Sequence, residues 1–113
     1  MSSIRPAAVA GAFYPATAPE LSAEVGVMLR TAGTGTERAT PKAIIAPHAG
    51  YIYSGPVAAS VYARLAPVAG KIERVVLLGP AHRVAVQGLA LPGASAFETP
   101  LGIVPVDAGA SSP

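Results

Sequence analysis

The chain has no cysteine. No disulfide framework and no cysteine-held zinc site can form within these residues, and cysteine usage gives no reading of the redox compartment. Charge is also scarce. Charged side chains make up 12% of the 113 residues, about half the usual ~25%. The formal net charge is only +2 and the Lys and Arg residues form no cluster. The isoelectric point near 9.3 therefore rests on a small surplus, and no nucleic-acid partner is expected, because phosphate neutralisation needs concentrated positive charge. A long apolar helix is missing as well. The longest uncharged stretch, residues 43–63, is broken by Pro47, His48, Gly50, Gly55 and Pro56, so no bilayer-spanning helix and no membrane partner are expected. The N-terminal Ala/Val run, stopped at Pro15, lacks the apolar core of a secretory signal. These absences together lead to the expectation of a cytoplasmic chain. The glycines fit no phosphate-binding loop, and Ser54 and Ser60 lie outside any GxSxG context, so a serine hydrolase has no support.

What is present points to one small globular domain. Hydrophobic residues are 51% of the chain, enough apolar surface to argue against disorder. Gly and Pro number 12 each, about twice their usual share, and without a period. The start of the chain, through Pro15, reads as extended and irregular. Thr17 has capping-box spacing to Glu20, and Pro19 falls in a first turn, where its missing N–H costs nothing. Leu21, Val25, Met28 and Leu29 follow as one helical stripe. Gly33 and Gly35 end that helix, with a surface loop through Thr40.

Lys42-Ala43-Ile44-Ile45-Ala46 and Arg74-Val75-Val76-Leu77-Leu78 are short apolar runs. Unbroken apolarity of this length suits strands buried on both faces, as in a parallel sheet. Between them a second helix is expected, with Ser54 as N-cap, Pro56 just inside, an apolar stripe of Val57, Ala58, Val61, Tyr62 and Leu65, and a stop before Pro67. Residues 42–79 thus read as strand, helix, strand, which predicts a right-handed parallel crossover. Residues 84–86 and 88–91 are further strand candidates, and residues 97–102 read as a turn or crossing loop. Residues 103–106 can only be an edge strand or irregular, because Pro105 has no donor. The fold expectation is α/β, a partly parallel sheet with flanking helices.

The only two histidines, His48 and His82, each follow one of the apolar runs. Parallel strands would bring both imidazoles to the carboxyl edge of the sheet, where open α/β sheets bind ligands. Neighbouring strand ends lie ~4.8 Å apart, close enough for both rings to reach one ion. Neutral imidazole suits iron, copper or zinc. Spacing by itself leaves a second reading open, that of hydrogen-bonded loop histidines with no ion. A catalytic metal ordinarily takes three protein ligands. Of the acidic residues, Glu20, Glu24 and Glu73 read as solvated, Glu37 falls in the loop, and Glu98 and Asp107 are not fixed near the histidines. Tyr14, Tyr51 and Tyr53 are candidates for lining a pocket, and Arg83 for attracting an anion. Tyr53 and Tyr62 read equally well as packing residues with the hydroxyl at the surface.

Four ordered segments carry a resemblance: Gly11-Ala12-Phe13-Tyr14-Pro15, Ala46-Pro47-His48-Ala49-Gly50-Tyr51, Leu78-Gly79-Pro80-Ala81-His82 and Phe97-Glu98-Thr99-Pro100-Leu101-Gly102. Together they resemble the motifs of the Memo family, also called AmmeMemoRadiSam system protein B. The resemblance implies a fold similar to that of class III extradiol dioxygenases. It also implies metal ligation by His48 and His82, with Fe(II) first and Cu or Zn as alternatives, and a pocket that includes Tyr51. Some members carry a second His where this chain has Arg83. Family domains are longer, and their remaining ligand is a Cys from the C-terminal part, so the chain reads as the N-terminal portion of such a domain, residues 1–113. Such a portion should expose strand edges and be marginally stable or aggregation-prone. Three functions follow from the resemblance: a non-haem iron or copper redox site with an unknown substrate, a metal-independent scaffold for a peptide or small anion, and extradiol-type ring opening of an aromatic. A functional link to radical-SAM and AMMECR1-like proteins is also implied.

Overall fold

The computed structural model describes residues 3–33 and 39–109. Glu37 and the middle of the predicted loop lie outside the described residues. The elements run β1 (Ile4–Arg5), α1 (Ala18–Ala32), α2 (Tyr51–Tyr62), a 3-10 helix (Ala63–Lys71), β2 (Ala96–Thr99) and β3 (Gly102–Pro105). This is a small α/β arrangement. Its sheet is mixed, with β1 parallel to β2 and β2 antiparallel to β3.

Helix α1 forms where the periodicity placed it. Thr17 is its N-cap, Pro19 lies in the first turn, and Gly33 closes it with φ 72°, a left-handed value at which glycine carries no Cβ penalty. The Thr17 side chain makes no capping hydrogen bond, so the capping-box spacing marks the start of the helix without the reciprocal bonds. Leu21 is buried, at 4% exposure, and Val25, Met28 and Leu29 are half-buried. This stripe packs on α2.

Helix α2 differs from expectation. It begins at Tyr51, with Gly50 as N-cap, and Pro56 stands inside it. Ser54 is therefore a buried residue one turn in rather than the cap. Proline at 56 removes the N–H that would have bonded the carbonyl of Ile52. Ile52 is exposed, so water can replace that donor. The buried seam of α2 consists of Ser54, Gly55 and Ala59, whereas Val57 and Tyr62 of the predicted stripe are exposed. Small residues let the two helices approach closely. A Cβ at Gly55 would come within 2.6 Å of the Met28 sulfur. Past Tyr62 the chain continues as a 3-10 helix through Pro67 instead of stopping before it. Pro67 lacks the donor that an α-helical bond to Ala63 would require.

The predicted strands at 42–46 and 74–78 are absent among the described residues, as are those at 84–86 and 88–91. The parallel pair in the sheet is instead β1 and β2. The reason lies in burial. A strand that is apolar on both sides needs cover on both sides, and here Ile45 is 95% and Val76 88% exposed.

The turn expected at 97–102 narrows to Pro100-Leu101, because residues 97–99 belong to strand β2, and the edge strand expected at 103–106 is β3 at Gly102–Pro105. Thr99 pairs with Gly102 around Pro100-Leu101. The Thr99 hydroxyl accepts from the Leu101 N–H at 3.1 Å and donates to the Gly102 carbonyl at 3.0 Å. β3 is one of the sheet's two outer strands, in the order β1-β2-β3. The Val106 N–H donates to the Ser95 carbonyl at 2.9 Å. Since successive residues of a strand alternate, the nitrogen of Pro105 faces away from β2, where a missing donor breaks no ladder bond. Among the described residues no helix is long and apolar enough to cross a membrane.

Candidate metal centre

His48 stands just ahead of α2, and His82 follows the irregular segment after the 3-10 helix. The structure brings the two together: their ring centroids lie 5.3 Å apart, with an interplanar angle of 41°. Imidazole nitrogens bind a metal at about 2.0–2.1 Å, which sets the centroids of two rings on one ion on the order of 5–6 Å apart. Both residues are exposed. The pair thus has suitable spacing, access and donor chemistry for a borderline transition metal. Among the described residues, no third His, Cys, Asp or Glu joins them in a group that could hold a metal ion. Asp107 is engaged by Arg74 at 2.9 Å. Glu98 is exposed on β2 and Glu73 is exposed beside Arg74.

The segment after His48 is tied from two sides. The Tyr51 N–H donates to the Phe13 carbonyl at 2.8 Å, which docks the N-terminal segment on the first turn of α2. The Ser54 hydroxyl donates to the Ala49 carbonyl at 2.8 Å. The first tie brings Tyr14 to Tyr51, with ring centroids 5.8 Å apart. Two residues singled out in separate motifs therefore meet. Tyr53 is exposed, and Arg83 is exposed beside His82 with no ion pair among the described residues.

Burial pushes the Tyr51 phenol above its ordinary value, and the neighbouring Tyr14, Glu24 and Tyr62 charges add to the effect. A raised phenol pKa contributes stability that is complete below the ordinary value of about 10 and is lost as pH rises through the folded-state value. Alkaline titration followed by tyrosinate absorbance should show a component above pH ~10 that disappears in Tyr51→Phe.

Sequence reasoning missed a groove of about 620 Å³ between α1 and α2, lined by Glu20, Glu24, Val27, Met28, Tyr51 and Ile52 among others. Neither histidine lines it. The available signal was Val27, an apolar residue off the α1 stripe, together with acidic residues one turn apart.

A family profile described as Memo-like protein matches residues 5–112. The chain belongs to the Memo-like family. It is 41% identical over 104 residues to a MEMO1 family protein of Aquifex aeolicus, a match covering 92% of this chain and 37% of that protein. The memo-1 homolog of Caenorhabditis elegans is 42% identical over 103 residues, covering 91% of this chain and 28% of the relative. Protein MEMO1 of Xenopus laevis is 42% identical over 106 residues, covering 94% and 34%. This Memo-like chain thus spans about a third of the length of these relatives, between 28% and 37%.

Proposed function

We propose that this Memo-like chain contributes His48 and His82 as two ligands of a mononuclear metal centre, with Fe(II) the first choice and Cu or Zn the alternatives. The observation that carries the reading is the 5.3 Å approach of the two rings. A further ligand comes from outside the described residues. Bound iron supplies redox chemistry that the side chains here cannot, which makes an oxidoreductase of the extradiol dioxygenase type, with a matching fold, the finer form of the reading. The work of the chain's own residues is simpler. The imidazoles give lone pairs and must be neutral to do so. The Tyr51 phenol keeps its proton and remains a hydrogen-bond donor to a substrate. Arg83, beside His82, offers a positive charge to an anionic substrate group. The expected setting is the cytoplasm, alongside radical-SAM and AMMECR1-like proteins.

A metal-independent scaffold is the second reading, and the α1–α2 groove favours it. Its largely apolar lining, with Val27, Met28, Tyr51 and Ile52, suits the side chains of a peptide better than a small anion.

The test is proton NMR of the two histidine rings during anaerobic addition of Fe(II). With one ion between them, both sets of ring resonances broaden together and reach completion at one equivalent. Broadening of one ring alone, or of neither, overturns the shared centre.

A further inference from the structure

We propose that Ser54 is the positioning residue that holds His48 against His82. The proposal rests on the shared-centre reading, but its first readout needs no metal.

Gly50 caps α2 and, as glycine, has no side chain with which to organise the helix start. The usual N-cap is an oxygen that accepts from an N–H one turn further on. Here the tie runs the other way. Ser54 sits one turn into the helix, is 6% exposed, and donates its hydroxyl back to the Ala49 carbonyl at 2.8 Å. A longer contact, 3.4 Å, reaches the Gly50 carbonyl. The first-turn amides of Tyr53 and Ser54 both go to the Gly50 carbonyl, at 2.9 and 3.0 Å. The helix therefore leaves the Ala49 carbonyl to the serine hydroxyl.

That carbonyl belongs to the residue immediately after His48. Fixing it orients the Ala49–Gly50 peptide, one residue beyond the histidine, and Pro47 restricts the backbone before it, so the two constraints bracket the His48–Ala49 unit. The Phe13 carbonyl holds the next turn through the Tyr51 N–H. His48 is exposed, so little packing holds its ring, and the backbone that carries it is what the serine bond can constrain. Ser60, on the same helix, shows the contrast. Its hydroxyl bonds the Val57 carbonyl at 2.6 Å on an exposed face, an ordinary local back-bond with no ligand beside it.

The experiment compares Ser54→Ala, Ser54→Thr, Ser60→Ala and Val61→Ala in the full chain. The metal-free readout is the nuclear Overhauser cross-peak between the His48 and His82 ring protons. Helical circular dichroism and the melting midpoint report stability separately. The proposal expects the cross-peak to vanish in Ser54→Ala and to survive in the other three. Fe(II) affinity should fall about 10- to 100-fold in Ser54→Ala, the usual cost of losing a residue that orients a ligand, and recover in Ser54→Thr. A cross-peak retained in Ser54→Ala overturns the proposal. Loss of the cross-peak in Val61→Ala, at a comparable drop in melting midpoint, also overturns it, because general loosening of the helix would then be the cause. If the wild-type chain shows the cross-peak but binds no iron, the metal reading fails and the positioning role is still decided by Ser54→Ala.

Discussion

His48→Ala and His82→Ala should each abolish stoichiometric iron binding, and the double variant should bind no more weakly than either single one. An ion shared by two imidazoles loses its chelate when one is removed, so the second substitution has little left to remove. The single-variant loss should exceed the 10- to 100-fold that follows removal of an orienting neighbour. Non-additivity of this kind is the signature of residues acting on one partner, whereas two independent sites would give additive losses. Both rings are exposed, so the substitutions should leave the fold nearly untouched, within about ±0.5 kcal/mol. Isothermal titration of the four proteins with Fe(II) under anaerobic conditions checks all of this.

Leu21→Ala should unfold most of the chain at room temperature. Among the described residues, Leu21 is the one large side chain in a core otherwise made of Ala59, Ala63 and Ala96. Truncating a buried Leu costs about 2–5 kcal/mol, against a typical total of about 5–15 kcal/mol for a domain. A chain of this size with so small a core belongs at or below the bottom of that range. The wild-type melting midpoint should accordingly lie below about 55 °C, the middle of the mesophile range. Leu77→Ala, by contrast, removes a side chain that is 83% exposed, and should change stability by no more than about 0.5 kcal/mol. Urea denaturation of the three proteins checks the ordering. If Leu77→Ala is the costlier change, the core does not lie between α1 and α2.

Helix α1 was readable because its stripe, its proline near the start and its terminal glycine all agree. The edge position of residues 103–105 was readable from a single missing donor. The two histidine rings do approach each other, although the parallel strands expected to bring them together are absent among the described residues, and the motifs carried the family. Helix α2 was misplaced for a physical reason. Its start is organised by glycine and by a serine one turn in, and its seam is built from small residues that a hydrophobic stripe undervalues. The runs at 42–46 and 74–78 misled in another way. Apolarity states what a segment prefers to bury, not whether these residues supply the cover, and the exposed Ile45 and Val76 show that they do not. The groove escaped because Glu20 and Glu24 look like solvated helix residues until α2 is laid beside them.

Pro105 has a consequence for traffic at the sheet's borders. An incoming polypeptide that tries to zip onto the outer flank of β3 meets a ring where it needs a hydrogen. That flank keeps the Ile103 N–H but is a poorer template for neighbours. The opposite margin, alongside Ile4 and Arg5, is two residues long and is followed by Pro6, so both borders of the sheet offer an incoming strand little to grip.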